Sequence, residues 1–138
     1  MIDVDSIATD ADLDEFLGGQ ALAGANMVPR AWRDGADEPT LRPARQWALE
    51  QILAAMRRRS PPIDPAQLAD VSQLKQAILL GASERLYRLA MTGAGQAEVA
   101  YYQAKAYAAQ FASEINNLAP TLTGGVRATM RSRAVYRR

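Results

Sequence analysis

The sequence predicts an all-α protein: a small helical bundle of three long helices plus one or two short ones, followed by an extended C-terminal arm. Three observations carry that expectation. Between Thr40 and Leu118, apolar residues recur at i, i+3, i+4 spacing in three long blocks, separated by proline or glycine breaks. No block shows the strict alternation of a half-buried strand, so sheet content is expected to be very low. The last twenty residues, APTLTGGVRATMRSRAVYRR, lose the helical pattern. At 138 residues the chain fits one domain, large enough to bury a core without a disulfide or a metal. The expected division is a helical body over residues 1–118 and an arm over residues 119–138.

Thr9 or Asp10 can cap a short first helix. Asp12, Asp14 and Glu15 then place negative charge in its opening turns, where the helix dipole favours it. Leu13, Phe16 and Leu17 supply its apolar face, and Gly18-Gly19 stops it. Ala21, Leu22 and Ala23 can add a turn. GANMVPRAWRDGADEP then reads as a loop, with a turn at Asp34-Gly35. Trp32, next to Arg33 and Asp34, is either a plug on the core or an exposed anchor for a partner.

Thr40 opens the first long helix, about residues 41–59, with Pro43 in its first turn, where a missing N–H costs nothing. Trp47, Leu49, Ile52, Leu53 and Met56 form its apolar face. Arg57-Arg58-Arg59 suits the negative end of the helix dipole; a nucleic-acid contact is the other reading of that triplet. Ser60-Pro61-Pro62 breaks the helix. Asp64-Pro65 starts a short helix or turn over about 65–70, and Ser72 is the expected cap of the second long helix, about 73–91. Leu74, Ala77, Ile78, Leu79, Ala82, Leu86, Leu89 and Ala90 give that helix a wide stripe, which predicts a central position. Gly81 costs up to about 1 kcal/mol relative to alanine there, and close helix–helix approach is the expected reason. Thr92-Gly93-Ala94-Gly95 is a tight connector.

The third long helix is expected over about 96–118, with Val99, Tyr102, Ala106, Phe111, Ile115 and Leu118 facing the core. Ala97, Ala100, Ala104, Ala108 and Ala112 form a small-residue surface suited to close packing, within the domain or against another subunit. Tyr101, Tyr102 and Tyr107 either edge the core or serve an interface, since a tyrosine buries its ring while its hydroxyl stays wet. Asn116-Asn117 and Pro120 end the helix. Thr121, Leu122 and Thr123 can extend, and Gly124-Gly125 is a hinge. Beyond it, Arg127, Arg131, Arg133, Arg137 and Arg138 alternate with Val126, Met130, Val135 and Tyr136. Fully extended, the stretch from Val126 onward reaches on the order of 45 Å, enough to insert into a neighbour. Val135 and Tyr136 are then apolar anchors, and the arginines pair with acidic groups.

The composition excludes much chemistry. With no cysteine there is no disulfide, thiolate metal site or thiol nucleophile; with no histidine, the commonest general base is missing. GAGQ at 93–96 lacks the lysine and spacing of a phosphate-binding loop. The aspartates from Asp3 to Asp14 lack the central glycine and final glutamate of a calcium loop, and Asp34, Asp37 and Glu38 read as solvated. No catalytic activity, cofactor or metal is expected. The acidic start carries no signal-peptide pattern, and no stretch nears the roughly 20 apolar residues of a membrane span; a soluble protein made in the cytoplasm is expected.

Net charge is +1, but it is sorted along the chain. The first fifteen residues hold six acids and no base; everything after Glu114 holds five arginines and no acid. That asymmetry marks either two interaction faces or two solvated termini. A basic tail on DNA phosphates is the rival reading, although no helix has the polar, base-reading start of a recognition helix and Tyr136 is the tail's one aromatic.

The segments LRPARQWALEQILAAMRR, DVSQLKQAILLGASERLYRLA and EVAYYQAKAYAAQFASEI, preceded by a short acidic helix and followed by an extended tail, resemble the head–tail connector (adaptor) proteins of tailed bacteriophages and prophages. Residues 71–90 and then 97–115 carry the resemblance most closely, and as architecture it spans about 10–118. The 20–39 loop is longer and richer in glycine than the family pattern. The resemblance implies a homo-oligomeric ring, commonly twelvefold, in the virion neck beneath the portal at the capsid vertex. C-terminal arms dock on the portal, helix-connecting loops meet the next neck or tail-completion protein, and DNA passes through the channel without sequence-specific binding. It implies a portal-binding role for Val126, Arg127, Met130, Arg131, Arg133, Val135, Tyr136, Arg137 and Arg138. The expected subunit or neck contacts are Trp32, Arg33, Asp34, Tyr101, Ala104 and Ala108. No catalysis and no membrane contact are implied.

Overall fold

The structure, a computed structural model, describes residues 2–17, 41–90 and 97–123, and every regular element among them is helical. The chain enters through a 3-10 turn, Val4–Ser6, capped by Asp3, whose carboxylate accepts from the Asp5 N–H at 3.1 Å. Helix α1 (Asp10–Phe16) follows. Its N-cap is Thr9: the Thr9 hydroxyl accepts from the Asp12 N–H at 3.2 Å, and the Asp12 carboxylate accepts from the Thr9 N–H at 2.9 Å. Two otherwise orphaned donors are satisfied reciprocally, and Val4, Ile7, Ala8 and Leu13 are delivered to the core.

Helix α2 (Arg42–Arg57) carries Pro43 in its first turn, as expected, and buries Ala44, Ala48, Leu49, Ile52 and Met56 along one face. Leu41 is its N-cap and contributes no side-chain cap. The Asp10 carboxylate accepts from the Leu41 N–H, both oxygens at 3.2 Å, so α1 holds the start of α2. After α2 the Ser60–Pro61 bond is cis, and the Ile63 N–H returns to the Met56 carbonyl at 3.0 Å. Asp64 caps the 3-10 turn Pro65–Gln67. A second turn, Val71–Leu74, runs straight into α3 (Lys75–Ala90).

The expected cap at Ser72 is corrected. Asp70 holds that position, and its carboxylate accepts from the Ser72 N–H at 2.9 Å. The 3-10 turn Val71–Leu74 begins two residues before the expected start at 73, which makes the Ser72 N–H a capped donor. That hydrogen bond holds Asp70 below the usual carboxylate range.

Helix α3 packs against α2 and against α4 (Ala97–Asn116), and buries Ala77, Ile78, Leu79, Leu80, Ala82 and Leu86, with Leu74 buried from the turn before it. Its central position matches its wide stripe. Ser83 is fully buried, and its hydroxyl donates to the Leu79 carbonyl at 2.8 Å, which satisfies it within the helix. Gly81 is the contact point of all three helices. A Cβ there would sit 2.7 Å from two Phe111 ring atoms and 2.8 Å from the Ala48 Cβ.

Helix α4 keeps the expected face towards its C-terminal end, at Phe111, Ile115 and Leu118, and departs from it upstream. Ala104, Phe111 and Leu118 are buried, with Tyr107, Ala108 and Ile115 partly so; Tyr102 and Ala106, expected on the core, face solvent. Alanines occur on every side of this helix, so apolar spacing alone does not select a face. The Phe111 ring, seated over Gly81 and 6.0 Å from the Trp47 ring, sets the rotation.

Residues 119–123, expected in the arm, pack on the helical body. Pro120 is fully buried, and Leu122 pairs antiparallel with Leu68 in an isolated bridge. The Ala69 N–H donates to Thr121 O at 3.0 Å and the Thr123 N–H to Gln67 O at 2.6 Å. Gln73 clamps Thr121 from both sides, accepting its N–H at 2.6 Å and donating to its carbonyl at 3.0 Å. Residues 119–123 therefore belong to the body. No helix among the described residues is long and apolar enough to cross a membrane.

Candidate functional site

The acidic N-terminus is engaged by the protein's own bases. Arg45, only 3% exposed, donates from NH1 to Asp5 at 2.6 Å and to the Ala8 carbonyl at 2.7 Å, and from Nε and NH2 to Asp10 at 2.9 and 2.5 Å. Arg42 pairs with Asp5 at 3.0 Å and with Asp3 at 3.4 Å, and Lys75 with Asp12 at 3.3 Å. The Arg45 hydrogen bond, and then that from Arg42, hold the Asp5 carboxyl below its ordinary range; the Asp5 carboxylate in turn raises Arg42. Asp12 is lowered chiefly by the Thr9 N–H. Asp3, Asp5, Asp10 and Asp12 thus form a clasp with the protein's own cations, in which Asp3 and Asp5 stay exposed.

The Arg57-Arg58-Arg59 triplet divides in the same way. Arg57 and Arg58 are exposed, whereas Arg59 is buried and donates to the Leu118 and Ile115 carbonyls, both at 2.7 Å. It is a dipole-matched cation, but for the end of α4 rather than for its own helix. Burial lowers its guanidinium from the ordinary value, yet an arginine stays charged.

Of the expected interface residues, Tyr101 is 47% exposed and Tyr102, next to it, 62% exposed, their rings 5.4 Å apart edge to face. With Ala106 and Ala109 they put an aromatic and small-residue surface on the outer side of α4. Tyr107 is turned inward, stacked on Tyr87 at 5.7 Å and tilted against Phe16 at 6.2 Å. Ala104 is buried in the domain's own packing, and Ala108 lies half-buried at its edge. Trp32, Arg33 and Asp34, and the arm residues Val126, Arg127, Met130, Arg131, Arg133, Val135, Tyr136, Arg137 and Arg138, lie outside the described residues, as do Gly18-Gly19 and the 92–95 connector.

Arg42, Arg45, Lys75 and Arg59 were not foreseen as structural ties. The signal for the first three was partial: six acids with no local base can pair with cations from elsewhere in the chain or stay solvated. Among the described residues, no group of three or more acidic side chains is arranged to hold a metal ion. No family model matches the chain, and no curated protein or solved structure matches it.

Proposed function

We propose that the protein is a structural adaptor subunit of a tailed-phage neck, assembling as a homo-oligomeric ring that joins the portal at the capsid vertex to the next neck or tail-completion protein. One observation carries this reading. The described residues share one core running from Val4 to Leu118, with Leu122 packed against it. The five arginines follow in a stretch of sequence without a single acid. Such a basic, acid-free segment suits an acidic docking surface, and portal docking through residues 126–138 is the role proposed for it.

The outer side of α4, with Tyr101 and Tyr102, is the surface proposed for the neighbouring subunit, while the 20–39 loop with Trp32, Arg33 and Asp34 is proposed to meet the next neck component. A heterologous contact of this kind closes a ring when its rotation is right. The internal clasp of acids narrows the charge pairing open to a ring, which favours an aromatic contact.

The second reading, a DNA-binding helical protein gripping phosphates with its tail, rests on the same five arginines. Electron microscopy of the chain mixed with the portal of the same particle, together with a DNA titration, separates the two. The adaptor reading predicts rings on the portal and little DNA binding in moderate salt. Tight DNA binding that falls steeply as salt rises, with no ring on the portal, overturns it.

A further inference from the structure

Where α2, α3 and α4 meet, a groove of about 450 Å³ is lined by Trp47, Arg58, Glu84, Arg85, Arg88 and Ile115, among others. Three guanidiniums face one carboxylate. Glu84 is 6% exposed, and its charge is answered one helical turn on by Arg88. Arg85 lies over the Trp47 ring at 5.4 Å from its centroid. Neither Arg85 nor Arg58 has an ion-pair partner among the described residues. The contrast with the other end of the molecule is direct: there, Arg42, Arg45 and Lys75 all close on aspartates.

We infer that this groove docks an acidic peptide segment of a partner protein, one that carries an apolar residue beside its carboxylates. Charge complementarity selects the acid. A planar guanidinium matches a carboxylate in a bidentate pair, and the Trp47 face holds the Arg85 plane in position before the partner arrives, which reduces the ordering cost of binding. The Trp47 and Ile115 walls select the apolar neighbour. A concave groove of this size admits a side chain or two, whereas a nucleic-acid backbone is met by a broad array of cations. The inference is independent of the ring reading, because it concerns neither the arm nor the outer side of α4.

The test uses fluorescence anisotropy on the full chain, with three labelled probes: a peptide alternating glutamate and leucine, the same peptide with glutamine for glutamate, and a single-stranded oligothymidylate of equal length. The glutamate peptide binds saturably and the glutamine peptide does not. Arg58→Gln/Arg85→Gln weakens the glutamate peptide by about tenfold or more, the loss of at least one charge-assisted hydrogen bond. Arg137→Gln/Arg138→Gln, which removes the same charge from the tail, leaves it within about twofold of the parent on the same scale. Arg58→Gln alone, at an exposed position just past α2, carries the same test if the double variant melts early. Equal weakening by the groove and tail variants overturns the inference. So does an oligothymidylate that binds more tightly than the peptide and loses more affinity on groove substitution.

Discussion

Arg59 reaches across the bundle to place its guanidinium 2.7 Å from the main-chain carbonyl of Leu118, some sixty residues further along the chain. The same side chain holds the Ile115 carbonyl at 2.7 Å. The last turn of a helix leaves carbonyls without partners; here a buried cation from the end of α2 supplies the donors for the end of α4. Two helices that do not follow each other in sequence are thereby fixed at one corner.

Replacing Arg59 with leucine removes both donors: the buried Leu118 carbonyl loses this partner, while the Ile115 carbonyl keeps the Leu118 N–H at 3.3 Å. The expected cost is about 2–3 kcal/mol, read as a lower midpoint in urea denaturation. Arg57→Gln and Arg58→Gln, at exposed positions, stay within about 0.5 kcal/mol of the parent. Equal effects at all three positions would place the role in net charge rather than in the Arg59 contacts.

Gly81→Ala tests the close approach of three helices. Alanine gains about 1 kcal/mol in helix propensity. Against that, its methyl falls within 2.8 Å of Phe111 and Ala48, two buried groups with little room to move. Overpacking of this kind costs about 1–3 kcal/mol, so net destabilisation is expected, and Phe111→Leu in the same chain should relieve part of it. A stabilised Gly81→Ala variant would contradict the packing described.

Arg45→Gln opens the N-terminal clasp. A fully buried pair broken on one side costs about 3–5 kcal/mol, but Asp5 is nearly half exposed, so about 2 kcal/mol is the expected loss here after screening by solvent. Hydrogen exchange checks the locality of the effect: amides of residues 2–17 lose protection first, while those of α3 keep it.

Acid acts on the same clasp. Asp5, Asp12 and Asp70 all lie below their ordinary value of 3.8 in the folded protein. The unfolded chain then binds protons more readily, so the stability these groups contribute is complete above that value and is lost as pH falls through their folded values. The melting temperature should be level between about pH 6 and 8, where no histidine titrates, and fall below about pH 4. At the alkaline end, burial raises Tyr87 above 10.0, so its contribution is complete below that value and is lost as pH climbs through the raised one. A midpoint of destabilisation near neutrality would contradict this assignment.

Much of the fold is legible in the residues. Thr9, one of the two expected caps, does cap the first helix, the Pro43 and Asp64-Pro65 positions mark element starts, and the wide stripe from Leu74 to Leu86 identifies the central helix. Gly81, an apparent flaw inside a helix, correctly signals a close contact. What escaped sequence reading has a common physical origin. Alanine is small enough to lie on either side of a helix, so the rotation of α4 depended on Phe111 finding the gap over Gly81. Which of several arginines is buried depends on carbonyls and carboxylates brought together by the fold, so Arg45 and Arg59 look no different in sequence from Arg42 and Arg58. The pairing of Leu122 with Leu68 is likewise a long-range contact, and it ties residues expected in the arm to the body.

The most direct measurement compares the full chain with residues 1–123 in co-sedimentation with the portal ring. Circular dichroism should show equal helicity and melting within a few degrees for the two, whereas a further cut to residue 118 removes the Pro120 and Thr121 contacts and lowers the melting point. The full chain is then expected to sediment with the portal and the 1–123 chain to remain in the supernatant. A folded 1–123 chain that still rides down with the portal would contradict the assignment of the basic segment to docking.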